Sequence, residues 1–255
     1  MKTPNLIKLM YRNMKVNTDP GTLLILIGLP GMYLVFFGYG FQSILASAGT
    51  GKVVYLRFLT PGIMALQSLM AGTLGGSMLW ADKRWGMLAQ LLVGPFTRLE
   101  YLLGIMMTSV VFAVAGALVM FGGAIILLAG VPTQLLGGLV MFGVIVLGSI
   151  FFGSLVLYIS ALVKSQNAYN SIQILVIFVV NFASTVFFQT NSLPEALKIL
   201  FIVNPLTYEA NAVRDSFLGI YSVSDAYQVA LLFAETVLML FLAVRAYMRS
   251  NISFV

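Results

Sequence analysis

Long apolar runs, separated by short polar segments, make up most of the chain. A helix needs about 20 apolar residues to cross the hydrocarbon layer of a bilayer. The six runs that reach this length are residues 22–42, 58–80, 102–129, 135–163, 171–188 and 226–247. The pattern predicts an all-α, polytopic membrane protein with six transmembrane helices, forming a single domain over residues 1–255.

A shorter amphipathic pattern precedes the first span. In residues 1–20, Lys8, Arg12 and Lys15 fall on one stripe of a helical wheel, and apolar side chains cover the remainder. A helix of this kind lies in the membrane interface, with its charges in water. The breaking sequence Asp19-Pro20-Gly21 separates it from the first span. We expect an interface helix, although a basic segment that only retains the terminus on one side would have the same residues.

A charged segment, ADKRWGMLAQLLVGPFTRLE, lies between the second and third spans. Asp82 is suited to a helix N-cap, and Gly94-Pro95 would end the helix that follows. The sequence therefore predicts a short amphipathic helix over residues 83–93. The residues that share its apolar arc are Trp85, Met87, Leu88, Leu91 and Leu92. The arc does not identify its contact, so lipid headgroups and a partner protein both remain open.

The longest polar connection, residues 189–225, contains two short apolar helical patterns. They cover residues 194–203 and 205–220 and meet at Asn204-Pro205. Asn is a preferred N-cap, and Pro suits the first position of a helix. Helices this short can enter a membrane without crossing it, provided that protein or water satisfies their backbone.

The basic residues are distributed unevenly over the two sides that six spans define. With the N-terminus in the cytoplasm, ten of the 14 Lys and Arg residues lie on the cytoplasmic side and four on the other. Cytoplasmic loops of membrane proteins carry such an excess of Lys and Arg. We therefore expect a multi-pass protein of the cell membrane, plasma or inner, with both termini and the 83–93 helix in the cytoplasm.

Composition agrees with a membrane protein and excludes several kinds of chemistry. Hydrophobic residues make up 60% of the chain and charged residues 9%, with a mean hydropathy of +1.00. The absence of Cys and His removes thiolate nucleophiles, the common zinc sites and imidazole acid–base chemistry. The net charge of +6 forms no basic patch with interleaved aromatic residues. We expect contact with membrane lipid and no nucleic-acid partner.

One segment resembles a nucleotide-binding loop without meeting its requirements. Gly49-Thr50-Gly51-Lys52 matches the end of a P-loop, but Ala46 replaces the first Gly and Val53 replaces the required Ser or Thr. The eight acidic residues show no paired spacing that indicates acid–base catalysis. We expect no catalytic residue, no metal, no cofactor and no ATP site in this chain.

Polar residues inside the predicted spans are candidates for a pathway or for packing. Glu235 lies near the middle of the last span, where an ionisable side chain is costly and faces the protein interior or a pathway. Gln173, Asn181 and Ser184 lie in the fifth span. Hydrogen bonds between helices explain such residues as well as a pathway does.

Two ordered blocks resemble the type-2 ABC exporter permease family. The first runs from Asp82-Lys83-Arg84-Trp85-Gly86 through Leu91-Leu92-Val93-Gly94-Pro95 to Arg98-Leu99-Glu100, and the second contains Ser192-Leu193-Pro194, Asn204-Pro205-Leu206-Thr207-Tyr208 and Arg214. Within the family, the likeness is to the drug-resistance branch and to the capsule and nodulation-factor branches. The family's Gly-Thr-Leu-Glu reads Gly86-Met87-Leu88-Ala89 here, so its acidic residue is missing.

The resemblance implies roles for two of the predicted segments. The 83–93 helix corresponds to the coupling helix, which docks in a cleft of a separate ATP-hydrolysing subunit. Its implied contact residues are Asp82, Lys83, Arg84, Trp85, Gly86, Leu88, Leu91, Leu92 and Pro95. Residues 194–220 correspond to an external re-entrant helix pair that closes the outer end of the pathway. Its implied residues are Asn204, Pro205, Thr207, Tyr208, Glu209 and Arg214.

The function that the resemblance implies is ATP-driven export by alternating access. Two permease chains, expected to be identical, would assemble with two copies of an ABC ATPase, which binds the ATP and Mg. The substrate would be an amphipathic drug-like molecule, a lipid, a glycolipid or a polysaccharide. Two alternatives stay open: a channel or secondary transporter that works without an ATPase, and a membrane scaffold for an ATPase that transports nothing.

Overall fold

The computed structural model describes residues 5–47, 52–126, 135–190, 194–220 and 222–250. Helices make up 88% of the structure, and the described ranges contain no strand. The helices are α1 Asn5–Val16, α2 Pro20–Leu23, α3 Leu29–Ser47, α4 Lys52–Arg84, α5 Met87–Val93, α6 Arg98–Ile126, α7 Leu135–Leu162, α8 Gln166–Phe182, α9 Glu195–Ile202, α10 Pro205–Leu218 and α11 Val223–Arg249. A π-helical turn, Leu24–Gly28, joins α2 to α3. The described residues therefore form an all-α protein.

Helices long and apolar enough to cross a membrane agree with five of the six predicted spans. Within the described ranges they are Pro20–Gly38, Tyr55–Arg84, Arg98–Ile126, Leu135–Leu162 and Val223–Arg249. The predicted end of the third span, residues 127–129, lies outside those ranges. Length and composition together made these spans predictable, because few charges interrupt them.

The fifth predicted span, residues 171–188, has different limits in the structure. Helix α8 has 17 residues and runs from Gln166 to Phe182, so it begins and ends earlier than predicted. The side-chain amide of Asn204 donates to the carbonyl oxygens of Val180 and Ala183, at 2.8 and 2.7 Å. These tertiary hydrogen bonds satisfy carbonyls at the helix end, and the apolar residues beyond Phe182 continue in a turn.

Helix α4 is the centre of the bundle and packs most closely on α7. A Cβ atom added to Gly72 would lie 2.7 Å from the backbone nitrogen of Gly153, and one added to Gly76 would lie 2.2 Å from Cγ1 of Val156. Small residues allow two membrane helices to approach this closely. The 33 residues of α4 extend about 50 Å at 1.5 Å per residue, so its ends lie far apart. We call them the α5 end and the α10 end, after the short helices beside them.

Candidate functional site

The α5 end of α4 turns sharply before the short amphipathic helix begins. Gly86 takes the left-handed conformation with φ of 69° and occupies the N-cap of α5, a position that an L side chain enters only with strain. Lys83 and Arg84 belong to α4, so the predicted helix over 83–93 is wrong at its start. The prediction of Asp82 as N-cap is also wrong, because Asp82 lies inside α4. A left-handed Gly thus separates the two helices.

Asp82 instead joins three helices. Its carboxylate accepts two hydrogen bonds from the guanidinium of Arg12 on α1, at 2.7 and 2.8 Å, and one from the hydroxyl of Tyr101 on α6, at 2.7 Å. The hydrogen bond to Asp82 raises the pKa of Arg12 above its ordinary value. The Asp82 side chain is only 13% exposed. Asp82 therefore positions α1 and α6 around the end of α4.

Asp82→Asn should weaken this junction. The amide keeps one acceptor oxygen but loses the charge and the bidentate geometry, a change of about 1.5–3 kcal/mol for hydrogen bonds to a charged group. Thermal unfolding of the purified chain in lipid measures the loss. In a double-mutant cycle with Arg12→Gln, we expect the second substitution to add little to the first. Fully additive losses would show that the two side chains act independently.

The apolar residues of α5 divide into an inner and an outer face. Leu88 is 1% exposed and packs with Leu9 and Tyr101, and the partly buried Leu91 and Leu92 join the same cluster. The structure thus splits the predicted apolar arc, because Trp85 and Met87 turn outward. The exposed residues of this segment are Trp85, Met87, Gln90, Val93, Gly94 and Pro95. Leu88 and the buried Lys83, both predicted partner contacts, face the protein's own interior in this conformation.

Three other elements surround the α5 segment and hold its far end. Asn5 of α1 donates its side-chain amide to the carbonyl of Pro95, at 2.8 Å. Arg98, the first residue of α6, donates to the carbonyl of Met248 at the end of α11, at 3.0 Å. A force applied to the outer face of α5 would therefore act on α1, α6 and α11, and on α4 through the Gly86 turn.

Helix α8 is attached to α4 by a series of contacts that we call the α4–α8 ladder. Arg84 donates to the side-chain oxygen of Gln166, the rings of Trp80 and Tyr169 stack with centroids 5.7 Å apart, and Gln173 donates to the hydroxyl of Ser77 at 3.0 Å. Ser77, Trp80 and Arg84 are spaced by three and four residues, as one helix face requires. This spacing is the sequence signal that could have revealed the ladder. The ladder begins one residue before Trp85.

At the α10 end, Arg214 ties α10 to its surroundings. Its guanidinium donates to the carbonyl oxygens of Phe58 at 3.1 Å and Thr185 at 2.7 Å, and to the side-chain oxygen of Asn211 at 3.0 Å. It also lies over the ring of Phe58, 3.9 Å from the centroid. Burial lowers the pKa of Arg214 to about 10, so the side chain keeps its charge at neutral pH. Arg214 thus fixes α10 against α4 and the turn after α8.

Local chemistry explains where α10 begins. Asn204 occupies the N-cap and accepts a hydrogen bond from the Leu206 nitrogen, and Pro205 takes the first helical position, as predicted. The other predicted residues of this region lie close together. Tyr208 donates its hydroxyl to the Ile202 carbonyl of α9, and the Thr207 carbonyl accepts a hydrogen bond from the Thr185 hydroxyl at 3.4 Å. Glu209 is fully buried.

The remaining intramembrane candidates have different surroundings. Gln173 belongs to the α4–α8 ladder, which agrees with a packing role. Ser184 is buried and donates its hydroxyl to the backbone carbonyl of Asn181, at 2.7 Å. The side-chain oxygen of Asn181 and Oε2 of Glu235 are buried without a hydrogen-bond partner among the described residues. In that part of the chain, no three His, Cys, Asp or Glu side chains are grouped as a metal site would require.

The comparison with known families shows the family of the chain. The sequence model of the ABC-2 type transporter family matches residues 6–218. The chain belongs to this family. No match was found among curated proteins. The ABC-2 membrane domain is the transmembrane permease component of an ABC transporter, separate from the ATPase subunit with which it works. The match covers α1 through α10, so the α5 segment and the Arg214 contacts both lie inside the ABC-2 domain.

Proposed function

We propose that this ABC-2 permease carries out ATP-driven export, with α5 as the coupling helix that receives the force of an ABC ATPase. The observation that carries the proposal is the outer face of α5. Trp85 is 76% exposed and Val93 90% exposed on a segment whose inner face is packed against the bundle. Apolar side chains presented on a braced helix fit an apolar cleft in a partner. Leu88, Leu91 and Leu92 would then orient the helix.

The proposed orientation places α1, α5 and the end of α11 in the cytoplasm, with α9 and α10 outside. It rests on the excess of Lys and Arg, ten against four, at the α5 end. Helix α8 would be the sixth span, because 17 residues extend about 25 Å, near the lower limit for crossing a bilayer. The external pair α9 and α10 would be the re-entrant helices.

We propose that a second, identical permease copy packs against α8. The described part of α8 contacts its own chain mainly through the α4–α8 ladder, and Ile174, Leu175 and Phe178 are exposed. Two such chains would enclose a pathway between them. The apolar side chains facing it suit an amphipathic drug-like molecule, a lipid or a glycolipid, and the polar part of a polysaccharide carrier would need a wider opening.

The proposed cycle is mechanical in this chain and chemical in its partner. Two ATPase subunits bind ATP and Mg, close, and displace α5. The Gly86 turn passes this displacement to α4, and the α4–α8 ladder passes it to α8 at the boundary between the two permease copies. Helix α10, held by Arg214, closes the outer end until the bundle changes its side of access. Such coupling requires two bundle conformations that the ATPase binds with different affinity.

Val93→Asp should prevent assembly with the ABC ATPase. A carboxylate placed in an apolar cleft loses its hydration without gaining a partner, so we expect affinity to fall by at least about tenfold. The tagged full chain is purified from lipid, and the co-purified ATPase is measured by its mass and its ATP hydrolysis. Val223→Asp is the matched control, because Val223 is 88% exposed at the other end of the bundle.

Equal assembly of the two variants would overturn the docking role of α5. Hydrolysis by the wild-type complex that rises on addition of an amphipathic substrate supports export. An ATPase that binds α5 but never responds to substrate would indicate a scaffold. Transport by the isolated chain without ATP would indicate a channel or a secondary transporter.

A further inference from the structure

Glu209 occupies a buried, closely packed position in the interior of the bundle. It is 0% exposed on α10 and lies between Ser68 of α4 and Gly148 of α7. A Cβ atom added to Gly148 would lie 2.1 to 2.5 Å from the carboxyl atoms of Glu209, so any larger residue there would displace the carboxyl group. We call Ser68, Gly148 and Glu209 the Glu209 seat.

The hydrogen bonds of the seat can accommodate a proton on Glu209. The hydroxyl oxygen of Ser68 is 2.7 Å from the carbonyl oxygen of Ala65 and 2.7 Å from Oε2 of Glu209. A serine hydroxyl has one hydrogen, so it donates to only one of these two oxygens. If Ser68 donates to Ala65, the other bond must be donated by Glu209 as a carboxylic acid. With an ionised Glu209, the Ser68 hydroxyl has to donate to Oε2 and gives up its hydrogen bond to Ala65.

Burial favours the same protonation state. Transfer of a carboxylate into an apolar interior is unfavourable unless a charged or hydrogen-bonding partner compensates for it. Oε1 of Glu209 has no hydrogen-bond partner among the described residues. Removal from water raises the pKa of Glu209 well above its usual value, and a hydrogen bond donated by Ser68 to the carboxylate offsets only part of this effect.

Among the described residues, the titratable groups on the surrounding helices do not supply a counter-charge at the seat. Arg214, on the same helix, donates to Phe58, Thr185 and Asn211. Burial and the neighbouring Asp225 of α11 raise the pKa of Asp215 to about 6, which pairs these two acids with each other. On α11, Tyr227 and Glu235 act on Tyr208 of α10. Arg245, Tyr247 and Arg249 lie at the far end of α11.

The remaining groups on α4 and α7 lie farther along their helices. Tyr55 donates to the carbonyl of Phe187, at 3.5 Å. Arg57 precedes Ser68 by about 16 Å of helix, and Asp82 follows it by about 21 Å. On α7, Tyr158 is about 15 Å of helix beyond Gly148. A proton is therefore what neutralises the buried carboxyl group of Glu209.

We propose that the outer gate is linked to protons: Glu209 carries a proton while α10 is seated on α4 and α7, and lifting of α10 releases that proton to the outer solution. The movement of α10 rests on the proposed function, whereas the proton on seated Glu209 rests on its complete burial, the unpartnered Oε1 and the contacts with Ser68 and Gly148. On lifting, the bond between Glu209 and Ser68 breaks and the carboxyl group reaches water. There it loses the proton and becomes a carboxylate. Reseating takes one proton up again from the outer solution. Each full cycle of lifting and reseating therefore transfers no net proton.

The direction of the pH effect follows from the proton count. The seated state binds one more proton than the lifted state, so alkaline pH favours lifting and acid pH holds the gate closed. The lifted fraction should rise by up to about tenfold per pH unit. This pH dependence begins at about pH 4.3, the ordinary pKa of Glu, and it ends at the pH where seated Glu209 itself ionises.

A single introduced thiol measures the lifted fraction, because the chain contains no Cys. Ala210→Cys places the thiol at a fully buried position beside Glu209, and Val203→Cys places one at an exposed position before α10. The full chain in lipid nanodiscs is labelled with a water-soluble maleimide from pH 5 to pH 8. The ratio of the two labelling rates removes the titration of the thiol itself. Glu209→Gln is the matched variant, since its amide can still donate to Ser68 but cannot ionise.

We expect the labelling ratio to rise steeply with pH when Glu209 is present and to stay flat in Glu209→Gln. The proposal is overturned by equal slopes in the two proteins or by a flat ratio with Glu209 present. The outcome is independent of ATPase docking. If the labelling ratio rises steeply with pH in a chain that binds no ATPase, the proton link is supported and the coupling role of α5 is rejected. A flat ratio in a chain that does bind one would reject the proton link alone.

Discussion

Gly76→Ala should destabilise the fold by about 3 kcal/mol, the upper part of the range for overpacked cores. The added Cβ atom would lie 2.2 Å from Cγ1 of Val156 and 2.7 Å from its carbonyl carbon and oxygen. The two backbone atoms cannot move without displacing α7 from α4. Thermal unfolding of the full chain in lipid measures the loss, which we expect to lower Tm by roughly 6–12 °C. Gly72→Ala should behave similarly, because its Cβ would meet the Gly153 backbone at 2.7 Å.

Gly143→Ala is the matched control for this effect. Gly143 lies on α7, and a Cβ atom added there has no atom within 4 Å in its surroundings. Because Ala favours a helix over Gly by up to about 1 kcal/mol, this variant should be as stable as the wild type or slightly more stable. A Gly76→Ala protein with the Tm of the Gly143→Ala protein would contradict the close approach of α4 and α7.

The spans could be predicted from the sequence because their signal is local. A run of apolar residues such as 135–163 indicates a membrane helix whatever its neighbours are, and α7 has nearly those limits. The partner of each helix is not local information. Gly72 and Gly76 indicate that another backbone approaches α4 closely. Nothing near them in the sequence predicts that Val156 is the residue in contact. The same reasoning applies to the end of α8, which depends on Asn204.

The two wrong predictions at the α5 end, the Asp82 N-cap and the undivided apolar arc, have one physical cause. Asp82 precedes an apolar pattern as an N-cap does, yet Arg12, 70 residues earlier, binds its carboxylate and leaves it inside α4. A helical wheel groups Trp85 with Leu88 because both are apolar. It does not show which of them faces the protein's own core. Tertiary contacts overrode local preference in both cases.

The α10 start could be predicted because Asn204 and Pro205 act within one turn of helix. The chemistry of Glu209 could not, since it depends on Ser68 and Gly148 from two other helices. The resemblance to the family placed Glu209 at the outer gate. Its burial between Ser68 and Gly148 was needed to assign its proton.

Arg214→Lys should release α10 from the bundle even though it preserves the charge. A guanidinium donates in several fixed directions, and here it reaches the carbonyls of Phe58 and Thr185 and the side chain of Asn211. An ammonium group on a shorter, flexible stem cannot reach all three and loses the planar contact with the Phe58 ring. Each buried carbonyl left without its donor costs about 1–3 kcal/mol, so we expect a loss of about 3 kcal/mol. Labelling of Ala210→Cys should then rise by about a hundredfold.

Arg57→Lys separates the loss of this geometry from a general effect of replacing Arg by Lys. Arg57 is exposed on α4 at the same end of the bundle, so its replacement should change neither Tm nor the labelling rate. Equal labelling of the Arg214→Lys and Arg57→Lys proteins would show that Arg214 does not hold α10 in place. Faster labelling with the pH slope of Glu209 unchanged would show that Arg214 and Glu209 hold α10 by separate contacts. One contact is then set by the geometry of a permanent cation, and the other by a proton that the outer solution can supply or remove.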